Sequence, residues 1–423
     1  MSNPNGVRPP RLASLCVLVL LATFLTPLAR AGEEVTMDGV PHIKNGTTPT
    51  QGHEMMELEE LWSAGGEDDE DVLFGLIAQA RVGDDGNIYL LDLQLSEIQV
   101  FSPDGEYLTS LSREGEGPGE VRMPRDFVFL SDGSIGILQT FPGKIVKIGR
   151  DGIPAGEVVL STGKKGAGGQ IALLDAGLRG GNFVVAGVTI EQAPPAGQNR
   201  HLFLAHYSED GKEQNRYAEH TIEMDFSNFD FHEREQYFGA PQRWALGPDG
   251  RVYFPPKREA YVIEVYAPDG TLERVIEREF TTPQRTAERM ELLESARDSQ
   301  IEAMKAQGMD PKIGLCETEP AISGIHVTED GMIWVLTPAG TQDQPEGVMA
   351  TYDVFDPAGH FVKQVSAGCE GDGENDALFP AGEDRLIKVT DIIAAAVAMQ
   401  GGLGAEAQEE SEPMEVVCYR IVQ

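Results

Sequence analysis

Two series of turns alternate along this chain, and no other feature restricts its fold so tightly. The first runs Asp85-Gly86, Asp132-Gly133, Gly180-Gly181, Asp249-Gly250, Asp330-Gly331 and Glu383-Asp384. A short apolar strand follows each, at 88–91, 135–138, 183–185, 252–254, 333–336 and 386–389. Two β-rich runs joined by Asp-Gly or Gly-Gly mark a hairpin, because type I′ geometry needs positive φ at both central residues. The second series is Asp104-Gly105, Asp151-Gly152, Asp210-Gly211, Asp269-Gly270 and Ala358-Gly359, each preceded by a third apolar run. Asp85 to Asp104 and Asp132 to Asp151 are each 19 residues, while Gly180 to Asp210 spans 30 and Asp330 to Ala358 spans 28. Each unit therefore reads as a four-stranded meander, and six meanders make an all-β, six-bladed β-propeller. A β-sandwich or stacked barrels would space their strands evenly, without this paired-turn period.

The sixth unit lacks its second hairpin. Its third strand is the C-terminal run 416–422, and its outer neighbour is expected from the other end of the chain, at 56–62. The propeller is then closed by N- and C-terminal strands together, which removes the open edge between first and last blades.

Residues 1–31 read as a signal peptide: Arg8 and Arg11 precede an apolar stretch at 12–25, and Ala29-Arg30-Ala31 has the small-x-small form of a cleavage site. About 14 apolar residues fall short of the roughly 20 that span a bilayer. The expected organisation is a signal peptide at 1–31, an N-terminal linker at 32–54 and the propeller at 55–423. Two insertions interrupt it. A helix is expected at 282–308 between blades four and five, with Thr282 as N-cap and Pro283 at the first helical position. A flexible insertion, read as a mobile loop or a short helix covering the blade, is expected at 392–413 in the last blade. The acidic run at 67–71 lacks the alternating ligand spacing of a calcium loop and reads as a solvated turn. Of Cys316, Cys369 and Cys418, the first two lie in polar surroundings and are the favoured disulfide pair in an oxidising compartment. Cys418, in an apolar alternating run, reads as a buried thiol.

The stretch from 82 to 160 adds a family resemblance. Gly86-Asn87-Ile88-Tyr89-Leu90-Leu91-Asp92, Ile98-Gln99-Val100-Phe101-Ser102-Pro103-Asp104-Gly105 and the linker Arg113-Glu114-Gly115-Glu116-Gly117-Pro118-Gly119-Glu120 carry it. This region resembles a secreted bacterial six-bladed β-propeller family related to NHL-repeat, TolB-like propellers. The resemblance implies architecture and an extracytoplasmic location, and mostly no assigned activity.

Propellers bind ligands where their inner strands converge on the central channel. Counting back from each first turn places Ala78/Gln79, Arg125/Asp126, Leu173/Leu174, Gln242/Arg243, Ser323/Gly324 and Asp376/Ala377 on those strands. Gln79, Arg125, Asp126, Gln242, Arg243, Ser323 and Asp376 are thus the expected ligand-binding residues at the channel mouth. The chain carries a formal charge of −36, with 69 acidic against 33 basic residues. Such a surface repels phosphate backbones, so nucleic acid is not an expected partner. Two inward arginines against that background point to a small anionic ligand, because guanidinium groups bind carboxylate and phosphate bidentately. The expected function is a binding scaffold for such a ligand or for another extracytoplasmic protein. The alternative is a metal-dependent hydrolase or lyase of the six-bladed lactonase type, in which a divalent cation such as Ca2+ polarises the scissile carbonyl. The register supplies only Asp126 and Asp376 as carboxylates for it, beside two cations, so no cofactor is expected. No nucleophile elbow or paired-histidine metal motif occurs, and His326 reads as a core or interblade histidine.

Overall fold

A computed structural model describes residues 32–422, apart from 68, 70–71, 162–169, 194–196, 239–242, 383 and 400–412. The expected signal peptide lies outside these residues. Six antiparallel blades form the molecule, as the turns indicate. Blade one comprises β4 (Ile77–Val82), β5 (Ile88–Asp92), β6 (Glu97–Phe101) and β7 (Tyr107–Leu111), and blade two β8 (Pro124–Phe129), β9 (Ile135–Gln139), β10 (Lys144–Ile148) and β11 (Pro154–Val158). Blade three has the longest strands: β12 (Gln170–Arg179), β13 (Asn182–Ala193), β14 (Gly197–Tyr207) and β15 (Glu213–Asp225). Blade four contains β17 (Ala245–Leu246), β18 (Val252–Phe254), β19 (Val262–Tyr266) and β20 (Leu272–Arg278). Blade five contains β22 (Gly324–Val327), β23 (Ile333–Leu336), β24 (Ala350–Phe355) and β25 (Phe361–Gly368). Blade six contains β26 (Ala377–Pro380), β27 (Arg385–Val389) and β28 (Glu415–Val422). Branched and aromatic residues on both faces of the inner strands pack between blades, and Ile77, Ile88, Phe101, Phe127, Ile137 and Val389 are fully buried together.

The ring closes through β3 (His53–Gly65). Its C-terminal part runs antiparallel to β28, from Glu57 opposite Val422 to Gly65 opposite Glu415, and completes blade six. Its N-terminal part, His53 to Glu57, runs parallel to Gln364–Gly368 of β25. One strand thereby fuses blades five and six into a single eight-stranded sheet. Trp62 anchors it against blade one by stacking on Phe101 at 5.7 Å and donating Nε1–H to the carbonyl of Pro103 at 3.2 Å.

Three expectations need correction. Residues 33–45 are not a linker: β1 (Glu33–Met37) and β2 (Val40–Asn45) form a hairpin, and β2 adds in parallel to β20 of blade four. The buried Asn45 amide holds it, donating to the carbonyls of Glu277 (3.0 Å) and Gly359 (2.9 Å) and accepting from Phe361 N–H (2.9 Å). The insertion helix α1 (Ala287–Ala306) begins later than expected, with Thr286 as N-cap accepting from Arg289 N–H. Thr282 and Pro283 precede it because the chain there is paired with residues 317–319: Arg285 N–H donates to Glu317 O and Glu319 N–H to Pro283 O. The last insertion takes the short-helix form expected of it, as α2 (Ile392–Met399), and residues 400–412 lie outside the described residues. Cys316, Cys369 and Cys418 are all buried free thiols, so the expected 316–369 disulfide is absent.

The closure strand carries a direct prediction. Trp62→Ala removes both the stacking and the hydrogen bond at the seam, and should cost about 2 kcal/mol. Equilibrium urea unfolding checks this; an unchanged midpoint would mean that Trp62 does not anchor the seam.

Candidate functional site

The register of the inner strands decides which side chains reach the channel. In blades one, two and three a β-bulge interrupts the first strand pair, at Ala78, Arg125 and Leu174. Immediately after the bulge come Gln79, Asp126 and Asp175, opposite Leu91, Leu138 and Ala186. The same position in blades five and six is Gly324, opposite Leu336, and Ala377, opposite Val389. In blade four, extending the Ala245↔Tyr253 and Leu246↔Val252 pairing places Arg243 there.

Asp175 escapes the turn count for a specific reason. The Asp-Gly loops are five residues long, with Gly86, Gly133, Gly250 and Gly331 at positive φ and the preceding Asp in ordinary backbone, whereas Gly180-Gly181 is a two-residue hairpin with both φ positive. A one-residue slip moves every side chain of the strand to the opposite face. The expected Leu173 and Leu174 therefore give way to Asp175.

A central cavity of ≈ 970 Å³ occupies the channel. Of the expected ligand-binding residues, Gln79, Arg243, Ser323 and Asp376 line it. Asp126 is fully buried behind it, Arg125 is exposed at the bulge and does not line it, and Gln242 lies outside the described residues. Asp376 is committed to its own loop, accepting from the N–H of Asp372 (2.9 Å) and Asp391 (3.0 Å).

A polar belt crosses blades one to four. Arg81, half-buried, pairs with Asp126 (2.5 Å) and lies over the Phe127 ring at 4.9 Å. Asp126 also accepts from the backbone N–H of Ala176 in blade three (2.9 Å), and Asp175 accepts from Trp244 Nε1 in blade four (2.8 Å). Burial opposes the charge of Arg81, yet Asp126 and then Asp175 hold its pKa above the ordinary value. At the opposite end Arg179 donates to the carbonyls of Leu246 (3.0 Å) and Val327 (2.5 Å) and pairs with Glu329, bracing blades three, four and five.

The mouth on the blade-four side is covered by inserted segments. β16 (Asp230–His232) and β21 (Lys312–Gly314) pair in parallel there. Glu233 is the hub: it accepts from Arg285 (2.5 and 2.8 Å), from Arg258 (3.0 Å) and from Cys316 N–H (2.9 Å). Arg285 also reaches Glu319 (3.3 Å). Burial by itself would raise the Glu233 pKa, but the Arg285 hydrogen bonds, the Cys316 amide and the two positive charges bring it down to about 2.

Arg243 stands apart from these pairs. Its guanidinium lies over the Tyr237 ring at 5.4 Å, and among the described residues no carboxylate is within ion-pair distance of it. Burial lowers its pKa from the ordinary arginine value. Six arginines and five carboxylates line the cavity of a chain with formal charge −36. The cap hub and Arg81 carried no sequence signal beyond their residue types, since the hub lies in insertions outside the repeat.

A divalent cation does not fit these residues. Asp126 is occupied by Arg81 and Asp175 by Trp244, and five further arginines line the same cavity. No group of three or more His, Cys, Asp and Glu suited to a metal ion occurs among the described residues.

With the geometry established, comparison with known proteins adds the following. A family described as a six-bladed β-propeller matches residues 67–158, which span blades one and two. No curated protein matches the chain in sequence. Similar solved structures include a candidate exported protein of Bacteroides fragilis, at 11% identity and TM-score 0.48, covering 90% of this chain and 100% of that one. Virginiamycin B lyase from Staphylococcus aureus is 11% identical with TM-score 0.42, over 86% and 100% of the two chains. The calcium-binding protein regucalcin from Agrobacterium tumefaciens is 11% identical with TM-score 0.41, over 88% and 95%. Likeness at this level carries nothing about ligand or reaction.

The hub predicts an acid response. A carboxylate whose folded pKa is depressed contributes stability that is present above its unfolded pKa, near 4.5, and is lost as pH falls through about 2. Glu233→Gln should flatten that part of the stability–pH profile, measured by thermal melting between pH 5 and 2. A variant whose profile superimposes on the wild type would contradict the assignment.

Proposed function

We propose that this chain is an exported, NHL-like propeller that binds a small anionic ligand in its central channel. The observation that carries the reading is Arg243: a guanidinium inside the cavity, set on an aromatic ring, with its charge not neutralised by a described carboxylate. A half-buried cation with no carboxylate in contact is only partly compensated, and an anion that enters lowers that cost. The neighbouring Arg258 and Arg285 are paired with Glu233, whereas Arg243 has no described carboxylate within ion-pair distance. Because Arg243 lines the central cavity, beneath the segments that cover the mouth, a small molecule suits it better than a protein surface.

Export rests on residues 1–31, with their basic start, apolar run and Ala-x-Ala ending. No helix among the described residues is long and apolar enough to cross a membrane. Metal-dependent hydrolysis is the weaker reading, because the channel carboxylates are already engaged and stand beside arginines.

Isothermal titration with a panel of small carboxylates and inorganic phosphate tests the proposal. Arg243→Gln should weaken binding of the anions that bind by roughly 10- to 100-fold, the value of a charge-assisted hydrogen bond. Arg125→Gln, at the exposed bulge, should leave binding unchanged. Equal affinity for wild type and Arg243→Gln would overturn it.

A further inference from the structure

The six equivalent inner-strand positions are not alike. Blades one to four place Gln79, Asp126, Asp175 and Arg243 there, whereas blades five and six place Gly324 and Ala377. Each polar or charged side chain fills or braces its sector of the channel. A glycine and an alanine leave theirs open, so the cavity runs outward between blades five and six.

The lining there is mixed, with Ser323, Thr341, Gln342, Glu374 and Asp376 beside a group of large apolar side chains. Trp334, Leu336, Met349, Tyr352 and Leu378 form that group, and the Trp334 and Tyr352 rings meet edge-on at 5.7 Å. These side chains belong to the interblade core, yet they also face the cavity that holds Arg243. Ile392 and Ile393, at the start of α2, line the same cavity. His326, directly opposite Trp334 across the β22–β23 pair, does not bring a charge into this sector: burial, and then Arg179, lower its pKa to about 4.

One cavity thus joins Arg243 on blade four, which has no carboxylate in ion-pair contact among the described residues, to a group of apolar side chains on blades five and six. A small hydrophilic anion such as phosphate would satisfy Arg243 and leave those apolar side chains bare. A molecule with a carboxylate at one end and an aliphatic or aromatic body at the other satisfies both. We infer that the ligand is an amphipathic monocarboxylate, its carboxylate on Arg243 and its apolar body in the recess opened by Gly324 and Ala377. This rests on the anion-binding reading above and specifies its ligand class.

Ion-pair geometry, rather than net charge, supports one carboxylate rather than two. Of the six arginines on the cavity, Arg81 contacts Asp126, Arg179 contacts Glu329, Arg258 and Arg285 share Glu233, and Arg285 and Arg289 reach Glu319. Arg243 alone remains, and a guanidinium matches one carboxylate bidentately.

The test titrates the full mature chain with straight-chain carboxylates from acetate to decanoate, following heat and tryptophan fluorescence. Affinity should rise roughly three- to fourfold per methylene until the recess is filled. Trp334→Ala and Gly324→Leu should abolish that rise while acetate affinity stays as in the wild type, which also shows that each variant is folded. Trp334→Phe should keep the length dependence and lose most of the fluorescence change. Affinity independent of chain length, with Arg243→Gln still weakening all members, would overturn this inference and leave the anion reading standing. Length-dependent binding that Arg243→Gln leaves intact, or no binding of any member, would overturn both.

Discussion

A propeller is a ring, and everything at its centre depends on whether the ring closes. Here closure rests on β3, which is antiparallel to the last strand over one half and parallel to blade five over the other. The strand therefore ties blades five and six together while Trp62 ties them to blade one. The N-terminal hairpin repeats the device on blade four, where Asn45 links β20 to the β24–β25 turn. Two chain segments from the same end thus brace the half of the ring that carries the insertions. Parallel additions of this kind leave fewer free strand edges exposed to other chains.

Closure fixes the radius of the channel, and the inner-strand register then fixes its chemistry. Blades one to four are stitched by charge: Arg81 to Asp126, Asp126 to the backbone of blade three, Asp175 to Trp244. Buried pairs of this sort contribute little net stability over apolar packing, but losing one partner leaves a stranded charge. They hold the blades in one relative setting instead. Against that neutralised belt, Arg243 is the exception, and the proposed anion site rests on it. The large acidic excess of the chain has no part in this. It lies mainly in turns and outer strands, where Asp85, Asp132, Asp151 and Asp249 each accept from the backbone two residues ahead and so close their loops.

The blades were legible because each hairpin carries its own punctuation, and positive φ at a fixed turn position makes glycine hard to replace. The closure was legible from a missing hairpin. What hid was whatever does not follow the repeat. Blade three's two-residue turn shifts its register and conceals Asp175. In the β1–β2 hairpin β1 is mostly exposed and β2 mostly half-buried, so it shows no clean alternation to read. Pro283 resembles a helix start, yet pairing with residues 317–319 holds that stretch extended and delays α1 to Ala287. Cys316 and Cys369 sit in polar sequence but in buried places, a distinction that depends on tertiary packing. At the site, the count found Gln79, Arg243, Ser323 and Asp376 on the cavity and misplaced Arg125, because a bulge turns its side chain out. The Glu233 hub joins residues 233, 258, 285 and 319, and no periodicity connects them.

The central claim is that an anion enters this channel and settles on Arg243. A crystal structure of the protein with an ω-bromoalkanoate tests it most directly, since anomalous scattering locates the bromine independently of the refined model. The account predicts a carboxylate against the Arg243 guanidinium and a bromine peak between blades five and six, beside Trp334. A ligand bound elsewhere, or a carboxylate turned away from Arg243, would contradict it.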